Sequence, residues 1–178
     1  MQKALIEALG PASDGLIDYL SKGYTLGPAL GNSPEALEAA YSAAYHLYRQ
    51  ARYEPAEQLF AFLMLNDHVD RRYYLGYAAC AQMQRDHERA LRYYSMAHLL
   101  DKTDPMPPMH MSECLIALSD FEKAKTLLTY GLIQARHHPE HRAHVPRLEA
   151  LMAALLRAIQ APDPAADGAG TDSSNPQS

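Results

Sequence analysis

The sequence predicts an all-α protein built from repeated pairs of helices. Ala56, Ala90 and Ala124 lie 34 residues apart, and several other positions keep the same step. The further series are Tyr53, His87 and Phe121; Phe60, Tyr94 and Leu128; Ala44, Ala78 and Ser112; Leu63, Ala97 and Gly131; and Cys80 and Cys114. A 34-residue unit of two helices is the tetratricopeptide repeat. Its small residues have a mechanical role, because two helices approach to roughly 8 Å only where their side chains are small.

Three repeats are predicted at about 37–70, 71–104 and 105–138, within a repeat region of residues 34–138. A helix over 34–50 begins after Asn32-Ser33, with Pro34 in its first turn. Glu54-Pro55 opens a second helix that runs to about Asn66, and further helices are expected over 70–84, 87–100 and 121–136. The prolines from 105 to 108 are expected to delay the first helix of the third repeat, which then runs to about Leu118.

The segments on either side of the repeats have different predicted roles. Residues 1–33 are expected to form an N-terminal helical extension, broken by Gly-Pro pairs, that serves in dimerisation. Residues 139–161 predict a helix of about 140–160 whose apolar stripe covers the open end of the stack. Residues 162–178 carry no apolar face to bury and are expected to be disordered.

Composition excludes several classes of function. The net charge is −5, from 16 Lys and Arg against 21 Asp and Glu, which argues against binding to nucleic acid or to an anionic membrane. No apolar run is long enough to span or stably enter a membrane, and the first residues lack the pattern of a secretory signal. A cytoplasmic protein is therefore expected, with Cys80 and Cys114 as buried thiols rather than a disulfide.

The first helix of each repeat is predicted to line a concave groove. The groove positions are Glu38, Tyr41, Tyr45 and Tyr48 in the first repeat; Arg72, Leu75, Ala79 and Gln82, with Met83 adjoining, in the second; and Met106, Met109, Glu113 and Ile116 in the third. Tyrosine provides contact area with few torsions to freeze, and methionine adapts its shape, so this surface suits an apolar, extended partner segment. Glu113 is expected to accept a hydrogen bond from a client amide. The alternative is that the tyrosine stripe belongs to the core, although the repeat register assigns the close helix contact to Ala44, on another face.

No motif for catalysis or for a metal or cofactor emerges. The stretch from His137 to His141 matches the H-x-x-E-H pattern of some zinc peptidases, but Pro139 interrupts the helix that the mechanism requires. No glycine-rich phosphate loop is present, and no nucleophile–base pair is evident. The sequence thus predicts a binding protein and not an enzyme, with no cofactor and no metal.

The residues resemble one known family, the class II chaperones of bacterial type III secretion, also called low-calcium-response chaperones. The resemblance covers about residues 16–160. Its most specific parts are the tyrosine stripe, Asp67-His68, and the H-x-x-E-C-L stretch from His110 to Leu115. Tyr53, which belongs to the shared pattern, completes the predicted client-binding set of Tyr41, Tyr45, Tyr48, Tyr53, Arg72, Leu75, Ala79, Gln82, Met83, Met109 and Glu113. This sequence departs from the family pattern at Ala51, where a glycine is usual, at Gly27-Pro28 and at Pro107-Pro108.

The resemblance implies a chaperone that keeps hydrophobic, pore-forming translocator proteins soluble in the bacterial cytoplasm before export. It implies that an N-terminal client segment lies extended in the concave groove, and that the N-terminal extension mediates a homodimer. The alternative function is a tetratricopeptide-repeat scaffold or adaptor in a secretion or pilus assembly. The two would differ in their genomic neighbours, since a chaperone gene lies beside the genes of its long apolar clients.

Overall fold

A computed structural model describes residues 25–29 and 31–160, and the regular structure within those residues is helical. The helices are α1 (Leu26–Ala29), α2 (Pro34–Arg49), α3 (Tyr53–Asn66), α4 (Arg71–Met83), α5 (His87–Leu100), α6 (Met106–Ala117), α7 (Phe121–His137) and α8 (Val145–Gln160), with a 3₁₀ segment, Pro139–His144, before α8. Three helix pairs, α2–α3, α4–α5 and α6–α7, form the repeats, and α8 packs on α7. The three-repeat solenoid with a capping helix is therefore confirmed. The predictions for residues 1–24 and for the tail from Pro162 lie outside the described residues.

The small residues of the 34-residue register lie at the helix contacts. Ala44, Ala56, Ala78, Ala90 and Ala124 are all completely buried. Larger residues of the same register fill the space beside them, and Phe60, Tyr94 and Leu128 are buried as well. Three apolar clusters result. One joins the first repeat to α4, the second joins the second repeat to α6, and the third joins the third repeat to α8. Cys80 and Cys114 are free, buried thiols, as predicted.

The turn inside each repeat has the same backbone conformation. Ala51, Arg85 and Ser119 follow the first helix of their repeats, and each has a positive φ of 59–63°. The next residue then donates its N–H back into the helix, to the carbonyl of Leu47, Ala81 or Leu115. This left-handed closure normally favours glycine, because a Cβ crowds the backbone there. The departure at Ala51 therefore changes the residue but keeps the turn.

Two predicted helix boundaries are wrong. The first helix of the third repeat is not delayed, because α6 begins at Met106 and takes Pro107 and Pro108 into its first turn. Proline is tolerated there since the first turn of a helix has no intrahelical acceptor for its N–H groups. The last helix begins at Val145 rather than near residue 140, because the chain after Pro139 first forms a 3₁₀ segment.

Helices α3 and α4 approach each other closely at Gly76. A Cβ at this position would lie 2.3 Å from atoms of the Phe60 ring, and that ring is buried, with 1% of its surface exposed. An added methyl group would therefore have to displace the Phe60 ring or move the two helices apart. Gly76 is needed here for close approach and not for an unusual backbone conformation.

Replacement of Gly76 by Ala should lower the free energy of unfolding by about 1–3 kcal/mol, because the added methyl group overpacks the contact with Phe60. Chemical denaturation would measure the change. The double variant Gly76→Ala with Phe60→Leu should recover part of the loss, since leucine leaves room for the methyl group. Wild-type stability of Gly76→Ala would show that the two helices are not in close contact.

Candidate functional site

A cavity of about 340 Å³ opens between the first helices of the three repeats. Helix α2 contributes three tyrosines, α4 contributes a floor of small and aliphatic residues, and α6 closes the far end. The lining residues are Tyr41, Tyr45, Tyr48, Phe60, Arg71, Arg72, Leu75, Gly76, Ala79, Tyr94, Asp104, Met106 and His110. The small residues explain the depth of the cavity, because Gly76 and Ala79 place little side-chain volume above Phe60.

Six residues of the predicted client-binding set line this cavity: Tyr41, Tyr45, Tyr48, Arg72, Leu75 and Ala79. The other five lie elsewhere. Tyr53 packs against Tyr48, with ring centroids 5.7 Å apart, and Met83 is half exposed on α4. Gln82 and Glu113 are joined to each other by a hydrogen bond of 3.0 Å.

Met109 does not line the cavity, contrary to the predicted position. Its counterpart one repeat earlier, Leu75, does so, but Met109 is completely buried in the apolar cluster shared by α6, α7 and α8. Capping helix α8 contributes Leu148 and Leu155 to that cluster, and Met109 packs with them. Met106, which was also predicted as a groove position, does line the cavity in the third repeat.

The three tyrosines of α2 differ in their surroundings. Tyr45 is 50% exposed and stacks on Tyr41, with centroids 6.4 Å apart. Tyr41 also contacts Phe60 at 6.1 Å and Tyr73 at 5.9 Å, so its inner side belongs to the core. Burial raises the pKa of Tyr41 and of Tyr48, so both remain neutral at physiological pH. The tyrosine stripe is therefore partly core, through the inner side of Tyr41, and partly groove surface, through Tyr45.

The cations at the cavity edge are paired within the chain. Arg72 binds Asp70 at 2.7 Å and Glu38 at 3.0 Å, and its guanidinium carbon lies 4.7 Å from the centroid of the Tyr41 ring. Arg71 forms an ion pair with Asp104. Because these charges are already neutralised, the cavity presents mainly aromatic and aliphatic surface to a partner.

A polar network borders the apolar lining. The Tyr94 hydroxyl donates to Gln82 Oε1 at 2.7 Å, and Gln82 Nε2 donates to Glu113. Glu113 also pairs with His110 Nδ1 at 2.9 Å and with Arg147 of α8 at 3.1 Å. Burial alone would raise the pKa of Glu113, but the hydrogen bonds from His110, Gln82 and Arg147 outweigh it and lower the pKa to about 2.

Six residues that line the cavity were not predicted as groove residues: Phe60, Arg71, Gly76, Tyr94, Asp104 and His110. The repeat register predicts Phe60 and Tyr94 only as helix-packing residues and does not single out Gly76, yet all three line the cavity. His110 was noted only as part of the family pattern. Its spacing of three residues from Glu113 is a signal that could have found it, because such side chains meet on one helix face.

Among the described residues, no group of three His, Cys, Asp or Glu side chains is arranged to hold a metal ion. The stretch from His137 to His141 spans the end of α7 and the 3₁₀ segment, so its histidines do not share one continuous helix. No helix among the residues that the structure describes has the length and apolar character needed to cross a membrane.

Comparison with known proteins identifies the family. No family model matches the sequence. Low calcium response locus protein H of Yersinia pestis is 30% identical over 142 residues, which are 80% of this chain and 82% of that protein. The chain therefore belongs to the family of low calcium response protein H, the translocator chaperones of type III secretion.

Two solved structures of this kind share the fold. PcrH, solved in complex with the chaperone-binding region of PopD, is 32% identical with a TM-score of 0.69, and the match covers 73% of this chain and 98% of PcrH. The type III secretion chaperone SycD of Yersinia enterocolitica, solved with a peptide of the translocator YopD, is 29% identical with a TM-score of 0.66. That match covers 72% of this chain and 98% of SycD.

Glu113→Gln should lower the free energy of unfolding at pH 7 by about 1–3 kcal/mol, because it weakens charged hydrogen bonds to three helices. The ordinary pKa of this carboxyl is 4.5, and in the folded protein it is about 2. The stabilisation is therefore fully present above about pH 4.5 and is lost as the pH falls toward 2, where the folded carboxylate also takes up a proton. Denaturation at a series of pH values should show the wild type approaching the variant between pH 5 and 2.

Glu149 provides a matched control for this prediction. It pairs with Arg136 at 2.7 Å, but both side chains are more than half exposed. Glu149→Gln should therefore change stability by less than about 0.5 kcal/mol, with little dependence on pH. Equal effects of the two variants at every pH would contradict the role given to Glu113.

Proposed function

We propose that this chain is a cytoplasmic chaperone of type III secretion that binds translocator proteins and keeps them soluble before export. The observation that carries this proposal is the aromatic cavity between the three first helices, whose bordering cations are paired internally. Such a surface favours apolar side chains over a charged terminus. PcrH and SycD, which share the fold, were solved with segments of PopD and YopD, and this supports a translocator segment as the client here.

The binding mode follows from the shape of the groove. An extended segment carries side chains that alternate between groove and solvent, so one or two apolar anchors would enter the cavity. Tyr45, which is half exposed and stacks on Tyr41, would close over an anchor, while Leu75 and Ala79 would lie beneath it. Binding and release of a client need no bond chemistry, so the proposed activity is that of a binding protein and not of an enzyme.

An adaptor role is the second candidate, and one feature of the second helices favours it. Leu65, Leu99 and Ile133 occupy the same position in α3, α5 and α7, and they are 68%, 61% and 51% exposed. This row of apolar side chains lies on different helices from most of the cavity lining and provides a surface for another protein. Co-expression with the neighbouring genes distinguishes the two functions, because a chaperone should render a long apolar translocator soluble and an adaptor should not.

Tyr45→Ala should weaken binding of the co-purifying translocator roughly thirtyfold, which corresponds to about 2 kcal/mol for an aromatic anchor. Its stability should stay within about 0.5 kcal/mol of wild type, because half of the side chain is exposed before a client binds. Tyr41→Ala should lower both binding and stability, since its ring also contacts Phe60 and Tyr73. Affinity by calorimetry and unfolding by circular dichroism would separate the two effects.

Leu65→Ala is the control for Tyr45→Ala, because it removes an exposed apolar side chain from a second helix. It should bind the translocator as wild type does. If Tyr45→Ala binds at full strength while remaining folded, the cavity is not the client site. If Leu65→Ala alone loses the client, the exposed row on the second helices is the binding surface.

We also propose a homodimer formed through the N-terminal extension, residues 1–33, whose apolar residues include Leu16, Ile17 and Leu20. A short amphipathic segment requires a partner surface to stabilise it. The chain lacking residues 1–24 should sediment as a monomer at concentrations at which the full chain sediments as a dimer. This truncation retains α1, which packs on α3 near Gly27 and Asn66, so we expect the fold to be preserved. Equal sedimentation of the two chains would place the dimer contact elsewhere or rule it out.

A further inference from the structure

His110 and Tyr94 form one wall of the cavity, and their side chains are held in a defined arrangement. The two rings stack with centroids 5.2 Å apart and an angle of 14° between their planes. Each side chain also forms a hydrogen bond: the Tyr94 hydroxyl with Gln82, and His110 Nδ1 with Glu113. The stack therefore fixes the position of the imidazole, and the hydrogen bond fixes its rotation.

Glu113 is the centre of this arrangement. One of its oxygens, Oε2, lies 2.9 Å from His110 Nδ1 and 3.0 Å from Gln82 Nε2, and the other, Oε1, lies 3.1 Å from Arg147 Nη2. With a pKa of about 2, the carboxyl group is ionised at neutral pH and can only accept hydrogen bonds. The proton shared with His110 must therefore reside on Nδ1 of the imidazole.

We infer that Glu113 is a positioning residue of the groove: when the His110 imidazole is neutral, Glu113 holds its proton on Nδ1 and so leaves Nε2 as a hydrogen-bond acceptor for a main-chain N–H of the client. The inference rests on the proposed function and extends it. An extended client has main-chain N–H groups that require acceptors once they leave water. In a neutral imidazole with its proton on Nδ1, Nε2 is an acceptor.

This role differs from the one that the sequence suggested for Glu113. A carboxylate that accepted a client amide directly would have to share its oxygens with His110, Gln82 and Arg147. His110, in contrast, lines the cavity and has only one of its two ring nitrogens engaged with Glu113. The client would thus contact the histidine, and the carboxylate would act through it.

Arg147 extends the arrangement to the capping helix. Its side chain reaches from α8 to the Glu113 oxygen that neither His110 nor Gln82 uses. Helix α8 thereby helps to hold Glu113 in place, although none of its residues lines the cavity. Loss of Arg147 should loosen the carboxylate without removing it, and so should have a smaller effect than loss of Glu113.

The tautomer of His110 is directly measurable in the full chain without a client. Nitrogen-15 chemical shifts of the ring at pH 8 should show a protonated Nδ1 and an unprotonated Nε2 in wild type, with the signals assigned by their absence in His110→Phe. Glu113→Gln should shift this population, because its amide can both donate and accept. A wild-type ring with its proton on Nε2 overturns the inference, whether or not the proposed function holds.

A second experiment measures binding of a peptide from the translocator that co-purifies with the wild-type chain. His110→Phe preserves a ring against Tyr94 but removes Nε2, and it should weaken binding about three- to tenfold, the typical effect of one hydrogen bond. Glu113→Gln should weaken binding by a similar factor, and the double variant should be no weaker than His110→Phe alone. Additive losses, or wild-type affinity of Glu113→Gln, would contradict the positioning role.

Arg136→Ala is the matched control for Arg147→Ala. Each change removes an ion pair that anchors α8, but the pair of Arg136 with Glu149 does not include Glu113. Arg147→Ala should weaken binding about two- to threefold and Arg136→Ala should not. Equal effects would show that α8 acts only through stability. If no translocator binds wild type while the tautomer is as expected, the proposed function fails and the positioning of His110 stands.

Discussion

The ring of Phe60 occupies the space that a side chain at position 76 would need, and much of the molecule depends on this contact. It brings α3 and α4 together and so joins the first repeat to the second. It also forms part of the cavity wall, because Phe60 and Gly76 both line the cavity. A larger residue at position 76 would force the helices apart and fill the cavity at the same time. The packing that holds the solenoid together and the space that would receive a client are therefore the same feature.

The part of the fold that follows from repetition could be predicted from the sequence. A small residue repeated every 34 positions requires an equivalent contact in each repeat, and the buried alanines at 56, 90 and 124 satisfy it. The repeat register also predicts that the tyrosines of α2 face the groove, and they line the cavity. The third repeat was harder to predict, because it meets capping helix α8 rather than another repeat. Met109 is buried there while its equivalent, Leu75, lines the cavity.

Other features carry no sequence signal strong enough to read. The turn residues Ala51, Arg85 and Ser119 share a left-handed conformation, but none is glycine, so composition does not mark the turn. The network around Glu113 joins residues from α4, α6 and α8, and the pairing with Arg147 spans 34 positions. Only the local pair, His110 with Glu113, has a spacing that sequence reasoning can recognise. Contacts between distant segments become visible only when the helices are assembled.

The two cysteines have a practical consequence for experiments on this chain. Both thiols are buried, and burial raises the pKa of Cys80 and of Cys114 to about 12. The thiolate is the form that reacts with maleimides and disulfides, and it is scarce at neutral pH for such groups. A single cysteine introduced at an exposed site would therefore react with a fluorophore or spin label while the native pair stayed unmodified. Distances between the groove and a client could be followed in solution without first removing the natural cysteines.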